Sequence, residues 1–124
     1  MIHVDTSALI AALTGARTAA PVLRGFISDG LRMAISTPVL YEWDRGPRTA
    51  EERDSREILF PSDAIFGFGL DDALLAAELY RRMARPRGRE IDIAIAAYAL
   101  TNGAALWTLN PTDFTDIPGL TLAT

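Results

Sequence analysis

The chain contains no cysteine and no lysine, and only one of its 124 residues is a histidine. The absence of cysteine excludes disulfides, thiolate nucleophiles and cysteine zinc sites, which fits a reducing compartment. With one histidine, a metal site built from several imidazoles is excluded as well. That residue, His3, lies within the first apolar run. We therefore interpret it as a structural residue of a strand rather than as a catalytic one.

Long apolar runs are also missing. The first residues carry no basic segment ahead of their apolar run, so they are not typical of a signal peptide. The longest uncharged stretch, residues 93–112, is interrupted by Thr101-Asn102-Gly103 and by Asn110-Pro111, which argues against a membrane span. We expect a cytoplasmic protein with no membrane partner.

About half of the residues (49%) are apolar, and the length is that of one domain, so we predict a single domain over residues 1–124. Short apolar runs alternate with helical patterns along the chain. This alternation favours an α/β class, a three-layer α/β/α domain with a central, mainly parallel sheet. Strands are predicted at residues 2–4, 33–36, 64–68, 105–109 and 119–123.

The first predicted strand ends at Asp5, and a helix to about Leu13 follows it. Ligands of parallel α/β sheets bind at the carboxyl ends of strands, so a functional role for Asp5 stands beside a helix-capping role. Further helices are predicted at residues 16–30, 38–45, 49–56 and 70–83. The last of these is expected to turn one face inward, formed by Leu70, Leu74, Ala77 and Tyr80.

The segment from Arg89 to Leu100 has the pattern of a helix that is buried on nearly all sides, because no polar stripe follows its length. Asp92 lies in the first turn of this helix. Burying a carboxylate costs desolvation free energy unless a positive charge compensates it, and the partial positive charge of the helix N-terminus compensates only part of it. Asp92 either binds a cation or serves as a solvated cap at the helix start.

Oxygen-bearing side chains recur at the ends of predicted elements. Asp5 and Asp92 are joined by Glu42 in a short helix and by Asn110 and Asp113 after a late strand. A helical Glu taken alone is usually a surface residue. Oxygen ligands without His or Cys select Mg²⁺ or Mn²⁺, ions that typically act together with substrate phosphate. The set predicts metal-dependent phosphoryl chemistry.

All twelve basic residues are arginines, and the formal net charge is −4. One group, residues 45–56, is mixed with acids and is typical of a solvated helix face. The second group is diluted by few acids and is the better candidate for contacts with RNA phosphates, although a solvated helix end explains it equally well. It consists of Arg81, Arg82, Arg85, Arg87 and Arg89.

Four segments together resemble the successive motifs of PIN-domain ribonucleases, in particular the VapC-type toxins of type II toxin–antitoxin systems. They are Val-Asp-Thr-Ser at 4–7, Pro-Val-Leu-Tyr-Glu-Trp at 38–43, Arg-Glu-Ile-Asp-Ile-Ala-Ile-Ala-Ala-Tyr-Ala at 89–99, and Leu-Trp-Thr-Leu-Asn-Pro-Thr-Asp-Phe at 106–114. Each motif alone is weak, but their order and spacing span essentially the whole chain.

The resemblance implies an endoribonuclease that hydrolyses RNA phosphodiester bonds at a carboxylate-bound Mg²⁺ or Mn²⁺. It implies a cognate antitoxin and a homodimer. The implied catalytic acids are Asp5, Glu42, Asp92 and Asp113, with Asp5, Asp92 and Asp113 as metal ligands and Thr6, Thr108 and Asn110 as the surrounding polar residues. Position 110 is an amide where some relatives carry an acid, so it brings no charge to the site.

Three other interpretations are weighed against this one. A receiver domain and a haloacid-dehalogenase-like phosphatase both need a lysine, and Ser7 stands where the second of these needs an acid. The remaining alternative is a catalytically inactive PIN-fold protein that acts as a binding module. For the enzyme, the lack of lysine and of an available histidine argues against attack by the ribose 2′-hydroxyl and favours attack by water.

Overall fold

The computed structural model describes residues 1–15 and 17–123. Within these ranges a three-stranded, all-parallel sheet is flanked by helices, so the predicted α/β class is confirmed. The strands are β1 (Ile2–Val4), β2 (Met33–Ala34) and β3 (Ala105–Trp107). The helices are α1 (Thr6–Leu13), α2 (Ala19–Ser28), α3 (Thr37–Arg45), α4 (Ala50–Leu59), α5 (Leu70–Arg82) and α6 (Glu90–Thr101).

Strand β1 is the centre of the sheet, whose order is β2-β1-β3. All three of its residues are buried, as expected for a strand with neighbours on both edges and helices on its faces. Ile2 pairs with Met33 on one side and with Ala105 on the other, and Val4 pairs with Trp107. This register brings the carboxyl ends of β1 and β3 side by side.

Helix α6 is buried on most of its surface, as the sequence predicts, and six of its residues from Ile93 to Ala99 are buried. Helix α5 packs on α6. Because Asp72 at the start of α5 is bonded to Thr101 at the end of α6, the two helices run antiparallel. In the described ranges, the helices are all too short or too polar to cross a bilayer.

Two predicted strands are replaced by single bridges. Where a strand is predicted at 64–68, the chain forms a 3₁₀ turn at Ser62–Ala64 and one parallel bridge between Ser36 and Phe66. Gly67 and Gly69 follow Phe66, and glycine weakens a strand because it adds no packing and costs more entropy to order. At 119–123 one bridge joins Leu122 to Leu106 beside β3.

The predicted inward face of the helix at 70–83 is wrong. Leu70 and Leu74 are 74% and 61% exposed, and Ala77 and Tyr80 are exposed as well. The buried face of α5 carries Asp72 and Leu79 instead. For the helix predicted at 16–30, Ala16 lies outside the described residues and α2 begins at Ala19.

Candidate active site

Asp5 lies at the carboxyl end of β1, directly beside the end of β3. Its backbone N–H donates to the carbonyl oxygen of Trp107 at 2.8 Å, which continues the ladder by one residue. Its carboxylate is almost fully buried, with the residue 4% exposed, and Oδ2 accepts hydrogen bonds from Ser7 Oγ at 2.9 Å and Thr108 Oγ1 at 2.7 Å. Asp5 occupies the N-cap position of α1 but makes no side-chain cap. The carboxylate is therefore held by hydroxyls rather than by the helix.

Ser7 is a site residue that sequence reasoning missed. Its Oγ lies 3.2 Å from Thr108 Oγ1 and accepts from the N–H of Leu109 at 3.0 Å. Thr108 Oγ1 in turn accepts from the N–H of Asn110 at 3.0 Å. Two hydroxyls thus tie the Asp5 carboxylate to the segment that follows β3. The signal was Ser7's place in the first motif, two residues after Asp5.

Glu42 reaches the same region from α3. Thr6 Oγ1, in the first turn of α1, donates to Glu42 Oε1 at 2.6 Å. Arg45, one turn further along α3, approaches Glu42 Oε2 at 3.3 Å. The Glu42 side chain is only 17% exposed, so it is not the solvated surface group that a lone helical Glu usually is. Thr6, one of the predicted polar residues, therefore links α1, which follows Asp5, to α3, which carries Glu42.

Asp92 is half-buried in the first turn of α6, and its pKa is raised to about 6. The largest cause is burial, followed by the negative charges of Asp5, Asp113 and Glu42, and only the Arg89 guanidinium opposes them. The fold thus brings all four predicted acids into one electrostatic neighbourhood. The N-cap of α6 is Arg89, without a side-chain cap.

Arg89 fastens the loop that carries Asp113. Its two terminal nitrogens each donate to an Asp116 carboxylate oxygen at 2.8 Å, and Nη2 also donates to the carbonyl of Asp113 at 2.7 Å. These bonds hold the pKa of the Asp116 carboxyl below its usual range. Asp113 ends the 3₁₀ turn Pro111–Asp113 and is exposed, like Asn110 before it. Arg89 therefore positions this loop against the start of α6, and its donors are engaged within the chain.

The other predicted phosphate-binding arginines have different surroundings. Arg81 and Arg82 lie in the last turn of α5, where Arg82 pairs with Glu78 at 2.9 Å. Arg85 and Arg87 are exposed in the loop that leads to α6. This loop ends at the helix turn that bears Asp92, so the exposed arginines adjoin the acidic site along the chain.

The acids do not form a ready-made metal cage. In the part of the chain that the structure describes, no three Asp, Glu or His side chains stand close enough to bind one ion. Charge repulsion acts over longer distances than coordination, so the acids perturb Asp92 without converging. The donor set is made of oxygens alone, and Asp92 faces three like charges. A hard divalent cation fits this site because it would offset that repulsion.

Fold and site together define a parallel α/β domain with a cluster of acids at the carboxyl edge of its sheet. The sequence model of the PIN domain matches residues 2–120, and the chain belongs to the PIN-domain family. No curated protein sequence matches the chain.

Solved structures with the same fold include toxin–antitoxin assemblies. A toxin–antitoxin complex from Klebsiella pneumoniae is 26% identical, with a TM-score of 0.75, and the match covers 98% of this chain and 96% of that one. DNA-bound VapBC from Salmonella typhimurium is 22% identical, with a TM-score of 0.76 and the same coverages of 98% and 96%. VapBC2 from Rickettsia felis, bound to a promoter DNA fragment, is 21% identical, with a TM-score of 0.75 and coverages of 99% and 98%.

Proposed function

We propose that this chain is a VapC-type toxin, a metal-dependent endoribonuclease that hydrolyses RNA phosphodiester bonds. The observation that carries the proposal is the environment of Asp92, a half-buried carboxylate whose pKa is raised by burial and by three other acids. An arrangement of this kind is unfavourable for folding alone, and perturbed carboxylates of this kind concentrate at functional sites. Membership of the PIN-domain family supports nuclease chemistry as the use of this site.

In this proposal Asp5, Asp92 and Asp113 hold Mg²⁺ or Mn²⁺, and Glu42 is the fourth catalytic acid. A divalent ion bound there supplies charge stabilisation to the phosphate and activation of water. Hydroxyls of the chain position the carboxylates: Ser7 and Thr108 hold Asp5, while Thr6 holds Glu42. Asn110 contributes a neutral amide at the exposed rim.

The expected nucleophile is water rather than the ribose 2′-hydroxyl. The ribose route needs a general base, typically His or Lys, and the only histidine is buried in β1 with its pKa lowered to about 4 by burial. The chain has no lysine. Attack by water on phosphorus with the 3′-oxygen as the leaving group gives a 5′-phosphate and a 3′-hydroxyl at the cut.

The decisive experiment incubates the purified full chain with a mixed RNA pool, with Mg²⁺ or Mn²⁺ and with excess EDTA, and identifies the new ends. We expect cleavage only with the metal, and 5′-phosphate products. Full activity under verified chelation, or 2′,3′-cyclic phosphate ends, would contradict the mechanism. A folded chain that cuts no RNA under any of these conditions would favour an inactive PIN-fold binding module.

We further propose that exposed arginines of the segment 81–89 hold RNA phosphates. Arg85 and Arg87 are the strongest candidates, since Arg82 pairs with Glu78 and Arg89 with Asp116. Reversing both charges, Arg85→Glu with Arg87→Glu, should weaken RNA binding and flatten its salt dependence by about two counterions. The matched control reverses Arg24 and Arg32, which are exposed elsewhere. Equal affinities for both double variants would refute the phosphate contact.

The proposed partners are a small antitoxin and a second copy of this chain, acting in the cytoplasm. The fold neighbour from Klebsiella, a toxin–antitoxin complex, and the DNA-bound VapBC from Salmonella support the antitoxin. A basic antitoxin side chain fits the acidic site because it would supply the missing positive charge. Co-expression with the product of an adjacent reading frame should yield a stable complex and restore growth. Failure of both would count against this partner.

A further inference from the structure

A cavity of about 530 Å³ lies where α5 begins and α6 ends. Thr101, the last residue of α6, lines it, whereas Asp92 lies in the first turn of the same helix, about 14 Å away along its axis. The volume is within the range of small-molecule sites, about 300–1,000 Å³. Its chemistry depends on six of the residues that line this α5–α6 cavity: Phe66, Asp71, Asp72, Tyr98, Thr101 and Asn102.

The charged residues of the cavity wall are negative. In the described part of the chain they are Asp71 and Asp72, both in the first turn of α5, and no arginine lines the cavity. Asp72 is 7% exposed and accepts from the Gly69 N–H and the Thr101 hydroxyl, which leaves about half of the lone-pair positions of its carboxylate unused. The N-terminus of α5 contributes roughly half a positive charge, which the two carboxylates outweigh. The cavity therefore repels anions and attracts cations.

The hydroxyl of Tyr98 is a polar group of this cavity. Tyr98 is only 2% exposed, and its hydroxyl is bonded to none of the residues that the structure describes. The hydroxyl oxygen is not among the polar atoms that are sealed in the core without a partner, so it keeps contact with the cavity that Tyr98 lines. Burial and, after it, the negative charge of Asp72 raise the pKa of this hydroxyl, so the Asp72 carboxylate lies close to it.

The remaining polar group of the wall is also an acceptor. The amide nitrogen of Asn102 donates to the Tyr98 carbonyl oxygen at 2.8 Å, which turns the amide oxygen of Asn102 away from that carbonyl and leaves it free to accept. Phe66 and Tyr98 add aromatic rings, whose faces attract cations. Carboxylates, an amide oxygen and aromatic rings are together complementary to a cation that donates hydrogen bonds and carries an apolar stem.

We propose that the α5–α6 cavity binds an aliphatic ammonium group, either of a small free amine or of a lysine side chain of another protein. The ammonium donates to the Asp71 and Asp72 carboxylates and to the Tyr98 hydroxyl, and its carbon stem lies against Phe66. The chain has no lysine of its own to fill the cavity. A bare divalent metal ion fits less well, because among the described residues no three acids or histidines stand close enough to bind one.

The experiment follows the ring resonances of His3 by NMR while the purified, metal-free full chain is titrated with butylammonium chloride. His3 is the only histidine, and its ring packs on that of Tyr98 with the centroids 4.8 Å apart, so it reports on the cavity from within the protein. Butylammonium should shift these resonances to saturation. The neutral 1-butanol, which has nearly the same size and shape, should not. The test uses neither RNA nor metal, so its result is independent of the proposed nuclease activity.

Variants of the wall test the proposed contacts. Asp72→Asn should weaken butylammonium binding at least about tenfold, because it removes the buried charge of the site. Because Asp72 also stabilises the fold, two variants that leave its bonds intact accompany it. Asp71→Asn and Tyr98→Phe should each weaken binding about threefold, and the second keeps the ring that packs on His3. Asp29→Asn, at an exposed aspartate after α2, is the matched control and should bind like the wild type, as should Asp92→Asn.

A second titration distinguishes the two sources of the ammonium group. It uses a short acetylated peptide with a single lysine, and the same peptide with glutamine in its place is the control. Saturation by the lysine peptide alone identifies a protein side chain as the ligand, and saturation by butylammonium alone identifies a free amine. The proposal is overturned if neither saturates, if 1-butanol shifts His3 as butylammonium does, or if Asp71→Asn, Asp72→Asn and Tyr98→Phe all bind like the wild type. Loss of binding in Asp92→Asn alone would place the amine at the proposed active site instead.

Discussion

A carboxylate lies at each end of α6, and the two carboxylates have opposite surroundings. At its C-terminal end, Asp72 of α5 is 7% exposed, and its oxygens accept from the N–H of Gly69 at 2.7 Å and from the Thr101 hydroxyl. At its N-terminal end, Asp92 is surrounded by like charge, and its pKa is raised to about 6 by burial and by those neighbours. The carboxylate that is supplied with donors stabilises the fold, whereas the proposed function assigns a cation to the one that is surrounded by acids.

The largest expected effect is on catalysis, from Asp92→Asn. The change removes one charge from the acidic site and keeps the shape, so RNA cleavage should fall by about three orders of magnitude or more. The unfolding free energy should hold or rise, since a repelled charge is gone. Initial rates with Mn²⁺ and urea unfolding measure the two quantities. An undiminished cleavage rate in a folded Asp92→Asn chain would show that Asp92 has no catalytic role.

A smaller catalytic effect is expected from Ser7→Ala. The variant removes one of the two hydroxyl donors to Asp5 and the acceptor of the Leu109 N–H. Partners of a ligand typically matter by one to two orders of magnitude, so the cleavage rate should fall roughly 10- to 100-fold. Ser28→Ala, at an exposed serine of α2, is the control and should be neutral. A wild-type rate for Ser7→Ala would remove Ser7 from the site.

The third prediction concerns Asp72→Asn, where stability rather than catalysis should change. The amide oxygen can still accept from Gly69, but the amide N–H then faces the Thr101 hydroxyl, which has to become the acceptor and donate to the Tyr98 carbonyl instead, and both bonds to Asp72 lose their charge. The loss should be about 1–3 kcal/mol of unfolding free energy. The folded variant should cleave RNA at the wild-type rate. If Asp72→Asn instead abolished cleavage without loss of stability, Asp72 would have a catalytic role like that of Asp92 rather than a structural one.

The smallest effects are on the pH dependence of the unfolding free energy. Asp92 at one end of α6 and His3 near the other end should change it with slopes of opposite sign. Asp92 has a pKa raised from 3.8 to about 6, so the folded state binds more protons and the unfolding free energy falls as pH rises through that window. Buried His3, which packs on Tyr98 near Asp72, has a pKa lowered from 6.5 to about 4. The folded state then binds fewer protons, and its contribution to stability rises over that window.

Single variants separate these slopes in metal-free buffer. Asp92→Asn should remove the fall and keep the rise due to His3, whereas His3→Phe should remove that rise and keep the fall due to Asp92. Urea unfolding between pH about 4 and about 6.5 measures both. Slopes of the same sign in the two variants would show that one of the two assignments is wrong.

The sequence predicts the elements that have no polar face, because such segments have to be buried on all sides. The apolar run Ile2–Val4 and the segment from Arg89 to Leu100 have no polar face, so they had to be the central strand and the buried helix. Asp5 and Asp92 followed as ends of those elements. The exposure of Leu70, Leu74, Ala77 and Tyr80 on the outer face of α5 could not be predicted, because periodicity shows that a face is apolar but not what covers it.

The features of the site that the sequence does not predict depend on contacts between segments that are far apart in the chain. Ser7 meets Thr108 only because β1 and β3 pair in the register Val4 to Trp107. The bidentate bond between Arg89 and Asp116 likewise depends on the course of the loop after β3. Neither contact has a local pattern, so the sequence predicts phosphate binding for Arg89, whereas in the structure its guanidinium bonds hold the loop of Asp113. The catalytic roles of the four acids and the metal-ligand roles of Asp5, Asp92 and Asp113 stay predictions.

The most direct measurement is calorimetric titration of the purified, metal-free chain with Mn²⁺, comparing the wild type, Asp92→Asn and Asp72→Asn. Coordination by the acidic site requires that the wild type and Asp72→Asn bind Mn²⁺ with equal affinity, and that Asp92→Asn binds at least about tenfold more weakly. Binding by all three with the same affinity, or no binding by the wild type, would contradict the central claim that the carboxylates around Asp92 are gathered to hold a cation.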